Sequence, residues 1–247
     1  LRRHRSGGGI FLVKKMIFLK RCGNGLMLAV LALAAQAPAA WATVSGPDQN
    51  LQVRHYAMTI GRDGVKRETT FSERVYRRND QVWTERLVES ESADGHDHSD
   101  DHSGHSHPDA GSSPMWVRRQ ADGALDARLI ERHQRRSIKV DSQYYGNIGF
   151  NGNWGSTFFL SDPQSLKSMR MVGALKDGVQ QYESKRGDLT VRVSWDVKGQ
   201  YPRRVESLDA HGKTRRETLV SVIEAPKMLP WKMLAGYTEI DYSDLLD

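Results

Sequence analysis

The sequence predicts a mainly β protein: an antiparallel meander with one or two short helices and a disordered His-rich hairpin loop. Three observations predict it. Long stretches alternate apolar and polar residues with period two, turn residues fall between those stretches, and helix-start signals are scarce. In "VKRETTFSERVY" (65–76), Val65, Thr69, Phe71 and Val75 share one parity, while Lys66, Glu68, Ser72 and Arg74 take the other. In "LTVRVSWD" (189–196), Val191, Val193 and Trp195 oppose Arg192, Ser194 and Asp196. Such alternation describes strands with one face buried and one face wet.

Taken in chain order, residues 1–42 are read first and set aside. Lys14, Lys15, Lys20 and Arg21 precede the apolar run "LMLAVLALAA" (26–35), and "QAPAAWA" ends in Ala40-Trp41-Ala42. This is the pattern of a secretory signal peptide, with residues 1–15 an upstream extension before Met16, and the run is well short of the ~20 residues of a membrane span. Cleavage is expected after Ala42, with Ala40 the second choice. Cys22 lies before the apolar run rather than after it, so it does not suit lipid attachment. Its loss with the leader leaves a mature chain without cysteine, which excludes disulfides and thiolate chemistry. A cysteine-free exported chain fits a periplasm.

Strands are expected over 51–60, 65–77, 81–89, 115–120, 124–132, 136–141, 179–185, 189–197, 202–209 and 214–223. Turns are expected at Asn79-Asp80, Asp122-Gly123, Lys176-Asp177-Gly178, Arg186-Gly187-Asp188 and His211-Gly212. The adhesion-like tripeptide at 186–188 is thus a hairpin turn. Asp162-Pro163 marks an N-cap followed by proline at the first helical position, opening a short helix to about residue 170. The aromatic, glycine-rich "YYGNIGFNGNWGSTFF" (144–159) reads as an irregular segment that folds its rings onto the sheet, with a ligand-binding lip as the alternative. The tail after Leu229 has room for a helical turn or two. Residues 43–247 are expected to form one β-rich domain, interrupted by an acidic His-rich loop over 90–113.

Charge follows the same division. Of 36 Lys+Arg and 30 Asp+Glu, seven bases and no acid lie in residues 1–42, which leaves 29 bases against 30 acids. The basic pI of the whole chain therefore carries no implication of nucleic-acid binding. Residues 89–113 hold seven acids and no base. Within them, His96, His98, His102, His105 and His107 fall in twelve residues. Neutral imidazole suits Zn²⁺, with Cu²⁺ and Ni²⁺ as alternatives, and Asp97, Asp100 and Asp101 can add carboxylate oxygens. Glycine and serine let the loop wrap a cation, and the ordering cost implies micromolar affinity. The other reading is a solvated polar loop. His55, His133 and His211 are read as surface strand or turn residues.

The stretch "VSWDVKGQYPRRVESLDAHGKTRRETLV" (193–220) resembles the periplasmic outer-membrane lipoprotein-sorting superfamily, through Trp195, Tyr201-Pro202, Val205, Asp209 and Gly212. The resemblance implies a curved, half-barrel-like sheet whose concave face takes acyl chains or other hydrophobic groups. The acidic His-rich loop is similar to those of periplasmic zinc-handling proteins, and that similarity is confined to the loop.

Five Arg-Arg pairs stand at 77–78, 118–119, 135–136, 203–204 and 215–216. Within a strand, each pair aims one guanidinium at each face. They are read either as strand-end residues paired with acids or as a cationic rim around the open face. No H-E-x-x-H, G-x-S-x-G or phosphate-cradling glycine loop is present, so no enzyme is expected. The expected function is capture or buffering of a divalent transition metal by the His-rich loop. The alternative is a carrier or binding module for a lipid or lipoprotein acyl chains, with a lipid or an envelope protein as partner.

Overall fold

A computed structural model describes residues 46–87 and 112–246. They form one open, curved sheet of twelve strands. The first six strands are β1 (Gln49–Ile60), β2 (Lys66–Arg78), β3 (Gln81–Leu87), β4 (Met115–Arg119), β5 (Leu125–Glu131) and β6 (Arg136–Val140). A crossover then carries the chain through 3-10 turn Ser142–Ile148 and helices α1 (Trp154–Phe159) and α2 (Pro163–Leu166). Strands β7 (Arg170–Lys176), β8 (Val179–Arg186), β9 (Leu189–Asp196), β10 (Tyr201–Asp209) and β11 (Thr214–Val222) follow. The tail adds 3-10 turns Pro230–Leu234 and Tyr242–Leu245 around β12 (Thr238–Asp241).

Two meanders make the sheet. β1 to β6 run outward in one direction and β11 to β7 in the other, and β1 joins them by pairing with β11 over nine residue pairs. All ladders are antiparallel except β12–β6, which is parallel and caps one end. The turns have the chemistry the sequence predicts. Asn79 takes φ 48° between β2 and β3, and Asp177-Gly178 take φ 51° and 74° between β7 and β8. Two-residue hairpin turns need this left-handed backbone to match strand twist.

Two expected features differ. β7 and β12 do not alternate in the sequence. β7 is an edge strand interrupted between Val172 and Lys176, with Gly173 at φ 67°, and nearly all its residues are exposed. β12 is only four residues, of which Ile240 alone is half-buried. The predicted helix at 162–170 is a single turn, because β7 begins at Arg170. Its start is as expected: Asp162 accepts from Gln164 N at 2.9 Å, and Pro163 opens the turn.

The crossover spans from β6, next to one edge of the sheet, to β7 at the other. We call the face it covers inner. Phe158, Phe159 and Leu166 pack there on Leu51, Val53, Val75, Val82, Val193, Trp195 and Val220. Ile148 and Phe150 pack on Val117, Ala127, Leu129, Ile138 and Val140. The rings of 144–159 do fold onto the sheet, in two short helical turns rather than an irregular loop. The tail covers part of the outer face, where Leu229, Trp231, Leu234 and Tyr237 lie against Tyr76, Trp83 and Ile130.

Candidate binding face

The residues proposed from sequence as metal ligands, His96, His98, His102, His105, His107, Asp97, Asp100 and Asp101, lie outside the described residues, as do the leader and most of the loop over 90–113. β3 ends at Leu87 and β4 begins at Met115, so the tract interrupts the hairpin where the sequence places it. Among the described residues no group of three or more His, Cys, Asp or Glu is arranged to hold a metal ion. His55 meets Glu73 and Thr218, and His211, in the β10–β11 turn, meets Asp188 of the neighbouring β8–β9 turn.

The inner face offers the site. Directly opposed residues of antiparallel strands share a face, so the registers define rows across the sheet. One row crosses seven adjacent strands in the order Met171, Tyr182, Val193, Val205, Thr218, His55, Phe71. Seven strands at about 4.8 Å spacing make the row about 29 Å long. Its first four members are apolar or aromatic, and the next two are polar. Val193 is buried at 3% exposure beneath the crossover, Tyr182 and Val205 are half-covered, and Met171 is 61% exposed. The apolar surface thus continues past the roof into solvent.

The polar end is ordered by side chains. His55 stacks on Phe71 with ring centroids 4.6 Å apart. Its Nε2 lies 3.2 Å from Glu73 Oε2 and its Nδ1 lies 3.3 Å from Thr218 Oγ1. Thr218 therefore donates to Nδ1 when Nε2 carries the proton given to Glu73. Arg86 lies over the Phe71 ring at 4.7 Å. On either side of this row run two more: Val220, Val53, Glu73, Arg86 toward the roof, and Val191, Ser207, Arg216, Ala57, Thr69 away from it.

The roof is held at few points. Arg77, fully buried on β2, donates to Phe158 O at 2.8 Å, Gln200 O at 3.0 Å, Pro47 O at 3.1 Å and Gly199 O. Its guanidinium also lies 4.9 Å from the Phe158 ring centroid. Burial pushes its pKa down to about 10, still far above neutral, so the charge is kept. Asp196 closes the β9–β10 turn. Burial alone would raise its pKa, but hydrogen bonds from Gly199 N and Arg203 outweigh that and hold the carboxyl below its usual range. Gly46 admits the roof closely, since a Cβ there would stand 2.6 Å from Phe159 Cε1.

Two features of the roof are unrelieved. Leu160 ends α1 in the left-handed region at φ 63°, which costs a side-chain-bearing residue about 1–2 kcal/mol. Trp154 Nε1 is buried with no hydrogen-bond partner among the described residues.

The arginine pairs behave as strand geometry dictates. Arg77 points inward and Arg78 bonds Gln49 O at 2.8 Å. Arg118 meets Asp126 and lies over Trp116 at 4.4 Å, while Arg119 meets Asp80 and lies over Trp154 at 5.0 Å. Arg215 joins Glu206 and Glu217 on the outer face at 3.2 Å each, and Arg216 faces inward. Most guanidiniums are engaged with carboxylates, so the pairs do not form a continuous cationic rim.

The sequence matches no family model and no curated protein. Among solved structures it is similar to an uncharacterized conserved protein from Thermus thermophilus, at 8% identity and TM-score 0.36, covering 78% of this chain and 90% of that one. It is also similar to a LolA superfamily protein from Nitrosomonas europaea, at 13% identity and TM-score 0.30, covering 76% and 90%. The MucA/MucB complex of Pseudomonas aeruginosa matches at 12% identity and TM-score 0.33, covering 75% of this chain and 55% of that one. The lipoprotein-sorting superfamily that the sequence resembles is thus among the structural neighbours.

Proposed function

We propose that this is a periplasmic, non-catalytic binding module for an amphiphilic molecule, held on the inner face beside the 141–169 crossover. The row from Met171 to Phe71 carries the proposal. It offers apolar contact at one end and hydroxyl and imidazole groups at the other, in one line across seven strands. Small-molecule sites combine such apolar lining with a few placed polar groups. The left-handed Leu160 and Trp154 Nε1, which has no hydrogen-bond partner among the described residues, support a roof that shifts to admit the ligand, since local strain concentrates in segments that move.

The test is titration of the exported protein with N-phenylnaphthylamine, an uncharged fluorescent probe. Saturable enhancement is expected, and Val205→Asp should weaken it tenfold or more, because a carboxylate in the apolar stretch must be desolvated. Circular dichroism checks that the variant is folded. No saturable signal, or equal affinity in the folded variant, would overturn the proposal.

A second reading stands on the sequence of the tract: five imidazoles and seven acids without a base over 89–113. We propose that it captures Zn²⁺, with Cu²⁺ or Ni²⁺ as alternatives, through His96, His98, His102, His105 and His107, aided by Asp97, Asp100 and Asp101. Binding needs neutral imidazole, so affinity should fall as pH drops below ~6.5. Calorimetry at pH 7.5 and 5.5 is expected to show micromolar binding at the first and much weaker binding at the second. Deleting 92–113 should abolish metal uptake and leave probe binding intact. Equal metal affinity at the two pH values would exclude imidazole ligation.

A further inference from the structure

The polar end of the inner-face row is bracketed by two guanidiniums that, among the described residues, no carboxylate meets. Thirteen arginines among the described residues lie in ion pairs with Asp or Glu. Arg86, Arg216 and, at the tip of β8, Arg186 are the exposed inner-face arginines left over, and of these Arg86 and Arg216 flank the polar end of the row. The register places Arg86 directly opposite Glu73, where a cross-strand ion pair would be expected. Instead Glu73 turns to His55 Nε2 at 3.2 Å, and the Arg86 guanidinium turns to the Phe71 ring. Among the described residues its N–H donors meet no carboxylate. Arg216 stands opposite Ala57 and Ser207, neither of which competes for it. Its sequence neighbour Arg215 meets Glu206 and Glu217, but on the other face of the sheet.

The two arginines lie on β3 and β11, three strand spacings (about 14 Å) across the sheet and two rows (about 13 Å) along it, roughly 20 Å apart at the backbone, so both side chains must extend toward each other to share one phosphate, with His55 and Ala57 between them. Ala57 is the smallest side chain of the three rows, so the floor between the arginines is low. Thr218 and Ser207 add hydroxyl groups on the β11 and β10 side, and Val205 and Val191 begin the apolar stretch beyond. The one carboxylate in the group, Glu73, already accepts from His55.

We propose that this end of the inner face binds the phosphate of an anionic phospholipid, with Arg86 and Arg216 as its cationic partners and the acyl part directed along Val205, Val193 and Tyr182. Guanidinium presents planar paired donors that match phosphate oxygens. The apolar stretch beginning at the next strand selects a lipid over a free ion. This inference rests on the amphiphile reading above and adds the class of head group.

The test compares dihexanoylphosphatidylglycerol, dihexanoylphosphatidylcholine and inorganic phosphate, each at a concentration where it is monomeric, against the exported protein and the double variant R86Q/R216Q. The phosphatidylglycerol lipid is expected to bind best, and the double variant should bind it about a hundredfold more weakly, or roughly tenfold for each charge-assisted contact removed. N-phenylnaphthylamine should bind both proteins alike. Equal phosphatidylglycerol affinity in the two proteins would overturn the head-group assignment while leaving the amphiphile reading standing. Tighter binding of inorganic phosphate than of the lipid would make the site one for a free anion and would overturn it too. Loss of the uncharged probe from the native protein would instead remove the reading beneath it. Circular dichroism of the double variant confirms the fold, since both side chains are exposed.

Discussion

Arg77→Met is expected to lower the unfolding free energy by about 3 kcal/mol or more, read as a lower urea midpoint with unchanged slope. The guanidinium is fully buried, and it gathers four backbone carbonyls from three distant parts of the chain. Pro47 belongs to the lead into β1, Phe158 to the roof, and Gly199 and Gln200 to the β9–β10 turn. Methionine matches much of its volume and removes the cost of burying a charge. It also leaves those carbonyls without their donor, and each unmet buried acceptor costs about 1–3 kcal/mol. The sum of several such losses exceeds the relief from burying no charge. Arg77→Lys should fall between, because an ammonium keeps the charge but cannot spread donors across a planar fork. A methionine variant within about 1 kcal/mol of the native protein would show that the carbonyls find other partners and that the roof is not tied through β2.

The strands were legible where one face is buried and the other wet. The alternation in 65–76 and 189–196 reads directly as β2 and β9, and the turn pairs between strands fall where predicted. Pairing between β1 and β11 was not legible, because residues such as Val53 and Val220 meet across most of the chain and nothing local marks them. β7 was hidden because an exposed edge strand needs no apolar parity, and Gly173 breaks its register. The crossover was legible in composition: aromatic residues among glycines and asparagines do lie on the sheet. Its helical turns depend on caps such as Asn153, which accepts from Ser156 N at 2.8 Å. The candidate site was the least legible part. His55 reads as an ordinary surface strand histidine until β2 and β11 are placed beside it. Arg86 carries no signal at all, since what sets it apart is that among the described residues it meets a ring and no carboxylate. The row from Met171 to Phe71 exists only once six registers are fixed.

Phe158→Ala should cost about 3–5 kcal/mol, the usual range for deleting a fully buried aromatic ring. The ring lies 5.2 Å from that of Trp154 and 5.0 Å from that of Phe159, and Arg77 sits above it at 4.9 Å. The substitution keeps the Phe158 carbonyl, and with it the hydrogen bond from Arg77, so it removes packing and the cation–ring contact alone. Combined with Arg77→Met, the two losses should add to less than their sum, because the contact between guanidinium and ring is counted in both. The same variant separates stability from binding. The truncated roof uncovers Val193 and so lengthens the open apolar stretch of Tyr182 and Val205 beside it, so the folded fraction should bind N-phenylnaphthylamine at least as tightly as the native protein. Weaker binding by that folded fraction would mean that the Phe158 ring is itself part of the ligand's contact surface, and that the ligand lies under the crossover rather than beside it.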